Sequence, residues 1–178
     1  MSISIRTNSV LASVVLALGV ATLISCGGGA KDVERTLAPP SWAPGISQNL
    51  TRNLAAATVA SCVLDNIGQV GNPAAQKSVQ VPGDTAFGIT GWAIDEVAKA
   101  PAGGVDEVID GVPYSAHYGS ERTDVAAHFN QPGYRNSGFE LMVAPGQLNK
   151  GPHSVSIRVI SSDKKSYYQG PVVQFSVN

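Results

Sequence analysis

Thr85-Ala86-Phe87-Gly88-Ile89-Thr90-Gly91-Trp92-Ala93-Ile94 alternates in steps of two, with Phe87, Ile89, Gly91 and Ala93 on one side. That period belongs to a strand with one buried face. Outward from it, similar short runs recur between clusters of Gly, Pro, Asn and Asp: Cys62 to Ile67, Ser78 to Val81, Gly104 to Asp110 and Val112 to Tyr118, then Gly138 to Val143, Ser154 to Ser161 and Val172 to Val177. Val112, Tyr114, Ala116 and Tyr118 alternate, as do Phe139, Leu141 and Val143; Val155, Ile157 and Val159; and Val173, Phe175 and Val177. No stretch carries the long 3.6-residue pattern that crossover helices of a parallel sheet require. Only Thr123 to Phe129 reads as one helical turn. The pattern predicts an all-β chain over 62–178, an antiparallel β-sandwich of about 7–8 strands.

Upstream of this domain the character changes. Arg6 is the only charged side chain before an uninterrupted apolar run from Val10 to Ile24. A basic start and a run too short to span ~30 Å of hydrocarbon describe an export signal, not a permanent membrane helix. Leu23-Ile24-Ser25-Cys26 resembles the lipobox of bacterial lipoproteins. The resemblance implies cleavage before Cys26 and acylation of its thiol, with residues 1–25 as signal peptide. Two or more acyl chains anchor stably, at about 0.8 kcal/mol per buried CH₂. Gly27 in place of an aspartate after the cysteine implies outer-membrane sorting in a cell with two membranes.

Between anchor and sandwich, residues 26–61 read as a lipidated, flexible tether. Pro39-Pro40 and Pro44-Gly45 interrupt any continuous element, and only Asn49 to Ala60 has a helical face, through Leu50, Leu54 and Ala57. Trp42 lies in this tether and is expected either to pack on the domain or to make a loose contact.

Composition narrows the function. Loss of residues 1–25 removes Arg6 and no acid, leaving 11 basic against 13 acidic side chains, a net charge of −2. That is no field for nucleic acid. With Cys26 acylated, Cys62 is the remaining thiol, so the fold holds by its core, and Cys62 is expected as a small buried hydrophobe.

Beyond the lipobox, an ordered series of pieces recurs along the domain: Gly91-Trp92-Ala93-Ile94-Asp95, Val108-Ile109-Asp110-Gly111, Tyr118-Gly119 with Arg122 and Asp124, Asn136-Ser137-Gly138-Phe139, then Leu148, Gly151 and His153. The series resembles the immunoglobulin-like modules with a Gly-Trp-Ala-Asp signature in bacterial secreted and envelope proteins, often placed beside sugar-handling domains. The resemblance implies an immunoglobulin-like sandwich and an envelope setting, with no reaction attached.

Read by their surroundings, most of these residues have structural roles. Trp92 is expected on the core or a sheet face, Gly91 where a bulky neighbour comes close, Asp110-Gly111 in a hairpin turn, and His153 at a corner tied by a ring hydrogen bond. Arg122 and Asp124 follow a Tyr-Gly turn, where a guanidinium is expected to latch onto Asp95 or Asp110. The sharper alternative is a polar binding site built from Asp95, Arg122, Asp124 and Tyr118 at one end of the sandwich.

Catalytic patterns fail. There is no nucleophile elbow or phosphate-cradling loop, and His117, His128 and His153 lack zinc spacing. Asp106 and Glu107 are neighbours in a strand and point to opposite faces. The expectation is therefore a non-enzymatic envelope lipoprotein without cofactor or metal. It presents a binding module for polysaccharide or a partner protein; the alternatives are a scaffolding lipoprotein that uses a sheet edge or loops, or an accessory subunit of a carbohydrate-active enzyme.

Overall fold

The computed structural model describes residues 42–52 and 62–178. The expected signal peptide and lipidation position Cys26, with residues 53–61, lie outside these. Two six-stranded sheets face one another. One runs in the order β1 (Thr51–Arg52), β12 (Ser166–Val177), β11 (Gly151–Ile160), β7 (Gly104–Ile109), β8 (Val112–Ser115), with β4 (Gln80–Val81) also on β12. The other runs β3 (Val70–Gly71), β2 (Cys62–Ile67), β5 (Phe87–Asp95), β10 (Gly138–Val143), β9 (His117–Ser120), with β6 (Ala100–Pro101) on β5. The first strands thus pair with the second sheet through β2, then cross to lie parallel to the last strand through β4. With β2, β5, β10 and β9 in the places of A, B, E and D, and β12, β11, β7 and β8 in those of G, F, C and C′, the order is that of an immunoglobulin-like sandwich.

The alternating residues meet in one core between the sheets. Ile67, Ile89, Ala93, Val105, Val155 and Val159 are fully buried there, each large aliphatic contributing about 1.5–3 kcal/mol. Asp110 and Gly111 take φ of 50° and 85°, and Ile109 pairs with Val112 around them, so the expected two-residue hairpin is a turn with positive φ at both positions. The helical turn between strands is present as α1 (Thr123–His128).

Two expectations need correction. The run Val112 to Tyr118 is two strands on different sheets, β8 and β9, with the crossing at Ala116, whose amide bonds Val105 O at 3.0 Å. Alternation survived the crossing because Tyr114, Ala116 and Tyr118 all turn toward the same core. The last strand begins at Ser166 rather than Val172. Its register against β11 slips between Ser156 and Arg158, where Gly170 and Pro171 form a bulge that hides the period. Of the helix expected over Asn49 to Ala60, residues 53–60 lie outside the described residues; Asn49 ends a 3₁₀ turn (Ile46–Asn49) and Thr51–Arg52 form β1.

The largest difference concerns the tether, because residues 42–52 are packed on the sandwich. Ala43 O accepts from Ser115 N, and Gly45 N donates to Pro113 O. Trp42 stacks edge-on against Tyr114 at 4.8 Å and donates its Nε1 to Met142 O at 2.8 Å, spanning the seam between the sheets. The carboxylate of Asp106, fully buried, accepts the amides of Ile46 at 2.8 Å and Ser47 at 2.6 Å. It caps the 3₁₀ turn much as a helix N-cap does. Asp106 and Glu107 do point to opposite faces, yet both are buried: the strap covers Asp106 on the outer face, and Glu107 lies inward with Val105 and Ile109.

Candidate functional site

On the outer face of the second sheet, polar and aromatic groups converge, and a bulge in β2 begins the arrangement. Leu64 pairs with Gly91 and Asn66 with Thr90, leaving Asp65 as an extra residue. Leu64 and Ile67 both enter the core although three residues apart, which an unbroken strand forbids. A bulge re-aims its side chain, and the Asp65 carboxylate meets Arg122 Nη1 at 2.6 Å.

The Arg122 fork also grips Asp124, with Nε to Oδ1 at 2.9 Å and Nη2 to Oδ2 at 2.6 Å. Its backbone amide bonds Arg135 O at 2.6 Å. Gly138 leaves room for the stem, as a Cβ there would stand 3.3 Å from Arg122 Cγ. The guanidinium beside Asp124 pulls that carboxyl down to about 2. The pKa of Arg122 is raised, chiefly by its bond to Asp124. A depressed carboxyl contributes stability above the ordinary carboxylate range and loses it as pH falls toward its folded value, so the latch loosens only between about 4 and about 2. Asp124 is 65% exposed, so solvent screening keeps the contribution small. Arg122→Ala, which also strands Asp65, is expected to lose about 1 kcal/mol in urea titrations at neutral pH, with Arg122→Lys restoring less than half. Equal stability of both variants and the parent chain would contradict the latch.

The latch clamps α1 onto the sheet. Val125 of α1, Ile94 of β5 and Tyr134 form a second small core, with Trp92 and Phe129 packed against it. Trp92 meets Phe129 edge-to-face at 5.7 Å, and Phe129 in turn meets Tyr134 at 5.6 Å and His128 at 4.9 Å. Trp92 is half-buried on this face, and its cross-strand neighbour Val63 is 39% exposed.

The expected site is therefore divided. Arg122 and Asp124 are together, but their third partner is Asp65 and not Asp95 or Asp110. Asp95, buried, accepts Ala98 N at 3.0 Å, Ser162 N at 2.8 Å and Tyr168 Oη at 3.3 Å, joining two hairpins. Tyr118 donates to Ala93 O and accepts from Ala102 N, both at 2.9 Å, and burial pushes its phenol up to about 12. Both are girders, unavailable to a ligand. Asp110 meets His153 Nδ1 at 2.6 Å and Ser154 N at 2.8 Å, while His153 Nε2 lies 2.8 Å from Asn149 O, a corner held by a ring. Gly91 faces Phe139, whose ring occupies the space a side chain would need.

Compared with protein-family models, curated proteins and solved structures, the chain matches none.

At the opposite seam a cavity of about 160 Å³ opens between β2 and the β12 bulge, lined chiefly by Cys62, Leu64, Ile157, Pro171 and Val173. Cys62 is half-buried in this wall, and burial pushes its thiol up to about 12. Among the described residues no group of three or more His, Cys, Asp and Glu is placed to hold a metal ion. Sequence reading missed Asp65, although the spacing of Leu64 and Ile67 around Asp65-Asn66 carries the signal of a bulge.

Proposed function

We propose that this chain is a lipid-anchored protein of the bacterial cell envelope whose sandwich binds polysaccharide on the outer face of the β3-β2-β5-β10-β9 sheet. The observation that supports this most is Trp92, half-buried and braced on Phe129, lying beside exposed Val63 and bordered by the Asp65–Arg122–Asp124 cluster. An indole offers a flat apolar face for the C–H side of a sugar ring, and the fixed carboxylates and guanidinium suit its hydroxyls. Strands β2 and β5 place Val63, Asp65 and Trp92, and the start of α1 places Arg122 and Asp124, so little entropy is lost on binding. The anchor rests on the lipobox ending at Cys26. Strand addition to a scaffold partner has less room, because residues 43–45 already cover the β8 edge.

The test uses the full-length chain purified from membranes in detergent. Mass spectrometry is expected to find acyl chains on Cys26, and an array of envelope polysaccharides should retain the protein. Trp92→Ala is expected to weaken retention at least about tenfold, the loss of roughly 1.4 kcal/mol of contact, while a melting curve shows the sandwich still folded. Retention of no glycan, or equal retention of the variant, would reject the reading.

A further inference from the structure

Glu107 is the anomaly of the core. It sits at the centre of β7, between Val105 and Ile109, is fully buried, and among the described residues neither carboxyl oxygen has a hydrogen-bond partner. Buried polar groups are nearly always partnered, so an orphan carboxyl calls for a reason.

Its surroundings are defined by register. On β8 its cross-strand neighbour is Tyr114, and on β11 it is Ile157. Arg158, next along β11, pairs with Asp106 on the other face of the sheet and bonds the strap at Ser47 Oγ. From β10, the charge of Glu140 acts on Glu107, and the Leu141 amide approaches without hydrogen-bonding geometry. Among the described residues Tyr114 and Glu140 are the titratable neighbours on β8 and β10, and no cation faces the carboxyl from β7, β8, β10 or β11. Beyond Tyr114 lies Trp42, which closes the seam by its bond to Met142 O.

We propose that Glu107 and the Trp42 strap form a proton-dependent latch, in which a protonated Glu107 keeps the seam closed and its ionisation releases residues 42–47 from the sheet. An ionised carboxylate cannot stay in an apolar core without a partner, so water must reach it. Separating the sheets would break the continuous core, whereas lifting the strap breaks six hydrogen bonds and one aromatic contact at the surface. The seam under Trp42 is therefore the path of least loss. Burial, then Glu140, hold the Glu107 carboxyl well above the ordinary glutamate value, with the Leu141 amide tempering the rise. The transition thus falls above the usual carboxylate range. Because the strap joins the sandwich to residues nearer the amino terminus, its release lengthens the reach of the domain from whatever holds that end.

The full-length chain in detergent with Trp92→Phe leaves Trp42 as its one indole. As the pH is raised above the ordinary carboxylate range, its emission is expected to shift to the red and become open to acrylamide. Circular dichroism should remain that of the folded sandwich. Adding Glu107→Gln is expected to abolish the shift, and Asp106→Ala, which removes the acceptor for two strap amides, to give released emission at every pH. An unchanged transition in the Glu107→Gln chain, no transition at all, or loss of the sandwich signal at the same pH would each overturn the latch.

Discussion

Gly91→Val is expected to abolish folding. A Cβ at this position would overlap the carbonyl oxygen of Val63 and stand 2.6 Å from Phe139 Cζ. The oxygen belongs to the ladder between β2 and β5, so it cannot move without breaking that pairing. The ring is fixed in the core at 2% exposure. Overpacking of a dense interior costs about 1–3 kcal/mol even where side chains can give way, and here the obstacle is backbone. We expect a loss beyond about 3 kcal/mol, a large part of the roughly 5–15 kcal/mol a domain of this kind holds. The protein would be recovered as aggregate, or melt far below the parent chain. Gly88→Ala, on the same strand but the opposite face, meets only the tips of Glu140 and Met142 and a methyl of Thr90 at 3.1–3.4 Å. It is expected to lie within about 0.5 kcal/mol of the parent. Similar melting temperatures for the two glycine variants would show that crowding at Gly91 is not what the geometry indicates.

Glu107→Met should act in the other direction. Methionine follows a similar unbranched path without a group to solvate, so the variant is relieved of a carboxyl buried without partners. That relief is worth about 1–3 kcal/mol. The sign of its pH dependence follows from linkage. The native chain holds the Glu107 proton to a higher pH than the unfolded chain does, so parent stability is fullest below the ordinary glutamate value near 4.5. It falls as pH rises toward the folded value. The advantage of Glu107→Met should therefore grow from pH 5 to pH 8 in parallel urea titrations. A variant less stable than the parent at pH 8 would mean that the carboxyl is satisfied in solution by a partner such as water.

These two residues also mark how far reading the chain could go. Gly91 was legible: a glycine at an inward position of an alternating run asks for a close neighbour, and Phe139 provides it. The turn at Asp110-Gly111 and the corner at His153 were legible for the same reason, because each depends on a few adjacent residues. The Arg122–Asp124 fork, two residues apart, was visible as a pair. Its third member was not, since Asp65 reaches Arg122 only through a bulge and a separation of 57 residues. Asp95 and Tyr118 looked available as polar groups in a signature, and the fold spends both on bonds between hairpins.

By itself the sequence determined the periodicity of its strands, hence two sheets around one apolar core. Those follow from residue type and local spacing, which set which face of each strand avoids water. Only the tertiary structure decided that residues 42–47 close a seam, that Ala116 is where the chain changes sheets, and that Glu107 has no partner among the described residues. Each of these depends on what stands opposite across the core, and no run of neighbouring residues specifies that.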